Sequence, residues 1–136
     1  MVEIELNYEG QLRCTAQHQP SGGTISTDAP VDNHGRGESF SPTDLVATAL
    51  ITCMATIMGI AAREREIDLT GLRMKVKKEM SSDLPRRIAA LHVEAFVPVA
   101  EDSPHCVILE KAAMTCPVHQ SIHPDIKVPI TWHWEG

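Results

Sequence analysis

The stretch SPTDLVATALITCMATIMGIAAREREI (Ser41–Ile67) decides how this chain folds. It opens with Ser41, Pro42 and Asp44, a variant of the capping box in which the serine caps the first turn and an acidic residue occupies the third position. Apolar residues then continue until a charged run that begins at Arg63. The stretch therefore predicts one helix of about 24 residues, roughly 36 Å long.

One cysteine, Cys53, lies near the middle of this predicted helix. A period of 3.6 residues places it on one face with Val46, Ala49, Leu50, Ile57 and Ile60. A buried free cysteine is usually a small packing residue. It is also a candidate reactive thiol, and the helix alone leaves both interpretations open.

The helix also raises a membrane interpretation, because its apolar part, Leu45–Ala62, is long enough to span a bilayer. Threonines and a glycine interrupt that part, and the chain has no second segment of this kind. We find no secretory signal, and four scattered cysteines do not make a disulfide-built scaffold. We therefore expect a cytoplasmic protein with reduced thiols and no membrane partner. The formal net charge of −6 argues against nucleic acid as the main partner.

The remaining segments predict strands and shorter helices. A β-meander is expected in residues 2–28, followed by a glycine-bearing loop over Val31–Phe40. Alternating apolar residues then predict a hairpin, a helix opened by Ser103 and Pro104, a short helix after Pro117, and a final strand. This order predicts an α+β fold in a single domain of residues 1–136.

The long helix is apolar on nearly all of its faces, so it must be surrounded by other elements. One small sheet covers only one of these faces. We therefore expect a second copy of the chain to cover the other, which predicts a homodimer.

A second cysteine, Cys116, precedes Pro117 and is expected to cap the short helix. Amide N–H groups and the positive end of a helix dipole stabilise a thiolate, so this position predicts a lowered pKa for Cys116. Alternatively, Cys116 only ends an apolar stripe of the preceding helix. Cys14 and Cys106 carry no such signal and are expected to be packing residues.

Two motifs together resemble the OsmC/Ohr family of thiol-dependent peroxidases. They are SPTDLVATALITCM, which contains Cys53, and CPVHQSI, which begins 63 residues later at Cys116. The chain is most similar to the broad OsmC-like group rather than to the organic hydroperoxide resistance branch. The resemblance implies an OsmC-like fold and an intertwined homodimer, with two central helices that each carry a reactive cysteine at the subunit interface.

The resemblance also implies the chemistry. Cys53 is the expected peroxidatic thiol, which reduces an organic hydroperoxide or hydrogen peroxide and becomes a sulfenic acid. Cys116 is the expected resolving thiol, which forms a redox-active disulfide that an external dithiol reduces. Such a protein is a peroxiredoxin-like cysteine peroxidase, an antioxidant oxidoreductase of the oxidative stress response that needs no cofactor or metal.

Members of this family pair the first cysteine with an arginine and an acidic residue. Asp44, nine residues before Cys53, is the expected acid, although helix capping competes for it. Two arginines are candidates: Arg36 in the glycine-bearing loop, which we prefer, and Arg13 in the meander. The cation is expected to favour the thiolate and polarise the peroxide, and the carboxylate to orient the guanidinium.

Two alternatives stay open. In the first, Cys53 is weakly activated and the OsmC-like fold binds a small ligand or a protein partner without turnover. The second is a zinc-binding module that uses Cys116, His119 and His123, whose spacing places three potential ligands around one helix turn.

Overall fold

The computed structural model describes all 136 residues, which form two compact units, residues 1–46 and residues 47–136. Three strands and a short 3-10 turn come first, followed by a long helix, two strands, two helices and a last strand. This is the α+β order predicted from the sequence. The single domain predicted for residues 1–136 stays a prediction.

The first unit contains an antiparallel meander of β1 (Ile4–Gly10), β2 (Arg13–His18) and β3 (Thr24–Asp28). Gly10 ends β1 with a φ of 83°, a left-handed conformation that glycine adopts without a Cβ clash. The meander is therefore confirmed. Its first strand begins at Ile4, two residues after the predicted start of the meander at residue 2.

The outer strand of this meander leaves an apolar surface uncovered. Ile4, Leu6 and Tyr8 alternate along β1 and are 65%, 61% and 61% exposed. Leu6 pairs with Ala16, which pairs with the half-exposed Ile25, so these side chains share one face of the sheet. This face is therefore exposed to solvent within a single chain.

Helix α1 runs from Pro42 to Arg63, 22 residues against the predicted 24 or so. The Ser41 hydroxyl accepts a bond from the Asp44 amide at 3.1 Å, and the Asp44 carboxylate accepts one from the Ser41 amide at 2.9 Å. These two bonds form the predicted capping box and satisfy two otherwise orphan amides. By length and composition α1 is long and apolar enough to cross a membrane, as a soluble core helix also can be.

The second unit is built on a three-stranded sheet of β4 (Arg73–Met80), β5 (Ile88–Val97) and β6 (Ile130–Trp134). The first two strands form the predicted antiparallel hairpin, and β6 runs parallel to β5. Helices α2 (Cys106–Met114) and α3 (Pro117–Ser121) occupy the crossover between β5 and β6.

The core of the second unit joins α1, the sheet and α2. Its fully buried members come from these three elements and from the cap of α3: Leu50, Met54, Met58, Leu91, Ala95, Val97, Leu109, Ala113 and Cys116. The buried stripe of α1 therefore follows the 3.6-residue period, and the inner face of β5 follows the period of two.

The buried stripe of α1 is centred on Met54, which leaves Cys53 partly exposed at its edge. One sequence expectation needs correction. Helix α2 does not begin at Ser103. Its hydroxyl instead accepts the His105 amide at 3.2 Å in a turn, and the helix starts at Cys106 without a side-chain cap.

The capping box generates a test of stability. Ser41→Ala and Asp44→Ala should each lower the free energy of unfolding by about 1 kcal/mol, because each leaves an amide without its cap. The double variant should lose less than the sum, since the two bonds belong to one motif. Urea unfolding of the four proteins measures this coupling, and strictly additive losses would contradict it.

Candidate functional site

Two thiols meet in the second unit. Cys53 projects from the middle of α1 and Cys116 caps α3, and their side chains lie within hydrogen-bonding reach of each other. Both are free thiols. Cys116 is fully buried, whereas Cys53 is partly exposed. Two cysteines 63 residues apart in the sequence are thus brought together by the packing of two helices.

Cys116 occupies the cap predicted for it. Pro117 is the first helical residue, and the Cys116 sulfur accepts a hydrogen bond from the His119 amide at 3.3 Å. The predicted lowering of the Cys116 pKa is wrong, however. Burial raises the pKa of this thiol, and the amide bond only partly offsets that effect. Neighbouring Cys53 raises the pKa further.

The two sulfurs differ in their exposure to solvent. The partly exposed Cys53 can be reached by a small molecule, while Cys116 is buried beside it. A thiol pair of this kind can form a disulfide when the outer sulfur is oxidised, because the second sulfur is already in place.

A guanidinium held by two carboxylates lies in the first unit. Arg13 binds Asp28 through two bonds, Nε–Oδ1 at 2.7 Å and Nη2–Oδ2 at 2.9 Å, and binds Glu38 at 2.7 Å. Asp28 is only 1% exposed, and its bonds to Arg13 hold its pKa below the ordinary value. The same bonds raise the pKa of Arg13.

Arg36 and Asp44, the other two candidates, also lie in the first unit. Arg36 follows the 3-10 turn Val31–Asn33, and its charge contributes to the lowered pKa of Asp28. Asp44 serves the capping box through its bond from the Ser41 amide. Of the predicted site residues, the two thiols therefore lie in the second unit, and Arg36 and Asp44 lie in the first.

Sequence reasoning missed the two carboxylates that hold Arg13. A signal for Asp28 was present, because Arg13 and Asp28 are equidistant from the turn between β2 and β3 and pair directly across the strands. Glu38 carried no such signal, since it approaches from an irregular loop.

The zinc-binding alternative finds no support in the geometry. No three His, Cys, Asp or Glu side chains in the chain lie close enough to hold one metal ion. His123 instead accepts the Asp125 amide through Nδ1 at 3.0 Å, and the Cys116 sulfur accepts the His119 amide. Cys116, His119 and His123 therefore do not form the predicted ligand set.

Comparison with known proteins places this arrangement in context. The profile of a family described as OsmC-like protein matches residues 35–131. A sequence comparison with curated proteins gave no match. Among solved structures, a protein of Psychrobacter arcticus is 47% identical with a TM-score of 0.92, covering 98% of this chain and 96% of its own. It is provisionally described as an osmotic stress induced and detoxification response protein.

More distant structures share the fold. An organic hydroperoxide resistance protein OsmC of Legionella pneumophila is 14% identical with a TM-score of 0.79, covering 98% of this chain and 96% of its own. An OsmC-like protein of Mycoplasma pneumoniae is 14% identical with a TM-score of 0.80, covering 100% of this chain and 98% of its own. These matches confirm the resemblance and the fold predicted from the two cysteine motifs.

The burial of the thiols predicts an order of alkylation. Cys106 and Cys116 should react more slowly with iodoacetamide than Cys14 and Cys53, because both are buried and burial raises the pKa of each. Their rates should continue to rise with pH beyond the range where a free thiol levels off, since less thiolate is present at neutral pH. Timed labelling and peptide mapping of the folded, reduced protein measure the order, which rapid labelling of Cys116 at neutral pH would contradict.

Proposed function

This chain belongs to the family of OsmC-like proteins, and on that basis we propose that it is a thiol-dependent peroxidase that reduces organic hydroperoxides or hydrogen peroxide. The observation that carries the proposal is the juxtaposition of the partly exposed Cys53 and the buried Cys116.

The reaction proceeds in three steps. The Cys53 thiolate attacks one peroxide oxygen, so the O–O bond breaks, an alcohol or water leaves, and Cys53 becomes a sulfenic acid. Cys116 then attacks the Cys53 sulfur, which forms the disulfide and releases water. An external dithiol restores both thiols by exchange.

An arginine assists the first step of this mechanism. Arg36 is our preferred residue and Arg13 the second candidate. Arg13 is already oriented by a bidentate carboxylate pair, the geometry that positions a guanidinium for recognition. Arg36 is less constrained, and its charge contributes to the Asp28 environment. Asp44 retains a role through the start of the helix that carries Cys53.

The active protein is a homodimer. Only 28% of the apolar window of α1 is buried within one chain, and the β1 face of Ile4, Leu6 and Tyr8 is exposed. A second copy that covers these surfaces would remove both from water, at about 25 cal/mol for each Å² of apolar area. Burial of this kind favours a permanent assembly. The protein acts in the cytoplasm, where a dithiol reductant can regenerate the disulfide.

The bonding of Asp44 supports one competing function. In it, a protein of this fold binds a small ligand without turnover. The Asp44 carboxylate is bonded to the start of α1 and is therefore a weaker partner for a guanidinium. The two functions differ in whether Cys53 reacts with peroxide much faster than a free thiol does.

Peroxide consumption with dithiothreitol as reductant tests the roles of the cysteines. Cys53→Ser should lower the rate by a factor of about a thousand or more, since the nucleophile is gone. In the absence of reductant, Cys116→Ser treated with one equivalent of peroxide should keep a sulfenic acid on Cys53 that lives at least about tenfold longer, detectable by dimedone labelling. Cys106→Ser is the matched control, because a serine can keep the bond to the Ala100 carbonyl. Full turnover by Cys53→Ser would refute the proposal.

The two arginines are separated by their own substitutions. Arg36→Gln should slow the reaction of Cys53 with cumene hydroperoxide by about a hundredfold, the usual loss when one preorganised donor is removed. Arg13→Gln should slow it less, because the preferred donor remains. Stopped-flow measurement under single-turnover conditions compares them, and the reverse order would transfer the assisting role to Arg13.

Dimerisation is tested at the exposed face of β1. Leu6→Asp should shift the protein toward a monomer, since it places a charge on the apolar face. Asn7→Asp adds the same charge to the opposite face of the strand and should leave the dimer intact. Sedimentation velocity at micromolar concentration measures both, and a monomeric wild type would contradict the proposed assembly.

A further inference from the structure

His119 carries an unsatisfied polar atom. Its Nδ1 is the one buried side-chain nitrogen or oxygen in the chain that has no hydrogen-bond partner. Buried polar atoms are almost always paired, so an exception requires an explanation. The capping of α3 does not supply this explanation, because it uses only the backbone amide of His119 and not the ring.

The position of His119 relates it to the resolving sulfur. Its amide donates to the Cys116 sulfur at 3.3 Å, and it occupies the third position of the helix that Cys116 caps. A side chain at this position can reach back toward the cap residue, as the capping box shows. His119 also lines a cavity of about 410 Å³ with His123 and Ile126, which gives small molecules access to the neighbourhood of the ring.

The proposed resolving step needs a proton acceptor at this place. Cys116 is fully buried, and that burial favours its protonated form. Only the thiolate attacks efficiently. Imidazole is the side chain that most often accepts a proton near neutral pH.

We propose that His119 is the general base of the resolving step, with Nδ1 taking the proton from the Cys116 sulfur as that sulfur attacks Cys53. The Cys53–Cys116 bond forms and the S–O bond of the sulfenic acid breaks. The leaving hydroxide takes the proton from the imidazolium and departs as water. At rest Nδ1 is not bonded to the thiol, so the transfer requires a rotation of the ring. The inference rests on the proposed function, because the sulfenic acid on Cys53 forms only if the protein reduces peroxides.

The test does not depend on peroxide. In a Cys14→Ser, Cys106→Ser background, Ellman's reagent should first form a mixed disulfide on the more exposed Cys53. Cys116 then attacks it and releases a second thionitrobenzoate, which is followed at 412 nm. His119→Ala should slow this second phase at least about tenfold, and so should His119→Gln, which keeps the bulk of the side chain but provides no base.

Rescue separates a chemical role from a structural one. Added imidazole should restore the second phase of His119→Ala, because the vacated site and the adjacent cavity admit it. The control His123→Asn, which can still accept the Asp125 amide, should keep the wild-type rate and ignore imidazole. An unchanged second phase in both His119 variants, or a slowed phase in His119→Ala that imidazole does not restore, would overturn the inference. If the His119 variants slow the second phase as expected but the wild-type protein does not consume peroxide, only the proposed function is refuted.

Discussion

Burial of one stripe of α1 is the constraint on which the second unit depends. Leu50, Met54 and Met58 are fully buried, and each contributes about 1.5–3 kcal/mol through loss of water contact. Because that stripe is centred on Met54, the helix cannot rotate to bury Cys53 as well. The thiol is therefore held at the edge of the core, close to the Cys116 sulfur that the core encloses.

The same burial determines how the two sulfurs differ chemically. A helix start alone would lower the pKa of Cys116, and the amide of His119 does act in that direction. Desolvation by burial is the larger effect, so it favours the protonated thiol at rest. A buried resolving thiol is protected from small oxidants, but it then depends on a nearby base or on the approach of the oxidised Cys53.

Much of the fold followed from local patterns in the sequence. The capping box at Ser41, the alternation of β4 and β5 and the Cys116-Pro117 cap are decided by neighbouring residues, and the structure contains all three. The start of α2 was predicted wrongly because the Ser103 hydroxyl forms a local turn instead of a helix cap, and the pKa of Cys116 was predicted wrongly because it depends on burial among distant segments. The bond between Arg13 and Glu38 was missed for the same reason, and the roles of Arg36 and Asp44 stay predictions.

If Cys53 and Cys116 act as one redox pair, stoichiometric oxidation should link them to each other. Fully reduced protein is mixed with one equivalent of cumene hydroperoxide, free thiols are counted within seconds, and the cross-linked peptides are mapped. We expect the loss of two thiols and a single Cys53–Cys116 disulfide, with Cys14 and Cys106 still free. Four unreacted thiols, or a disulfide that involves any other cysteine, would contradict it.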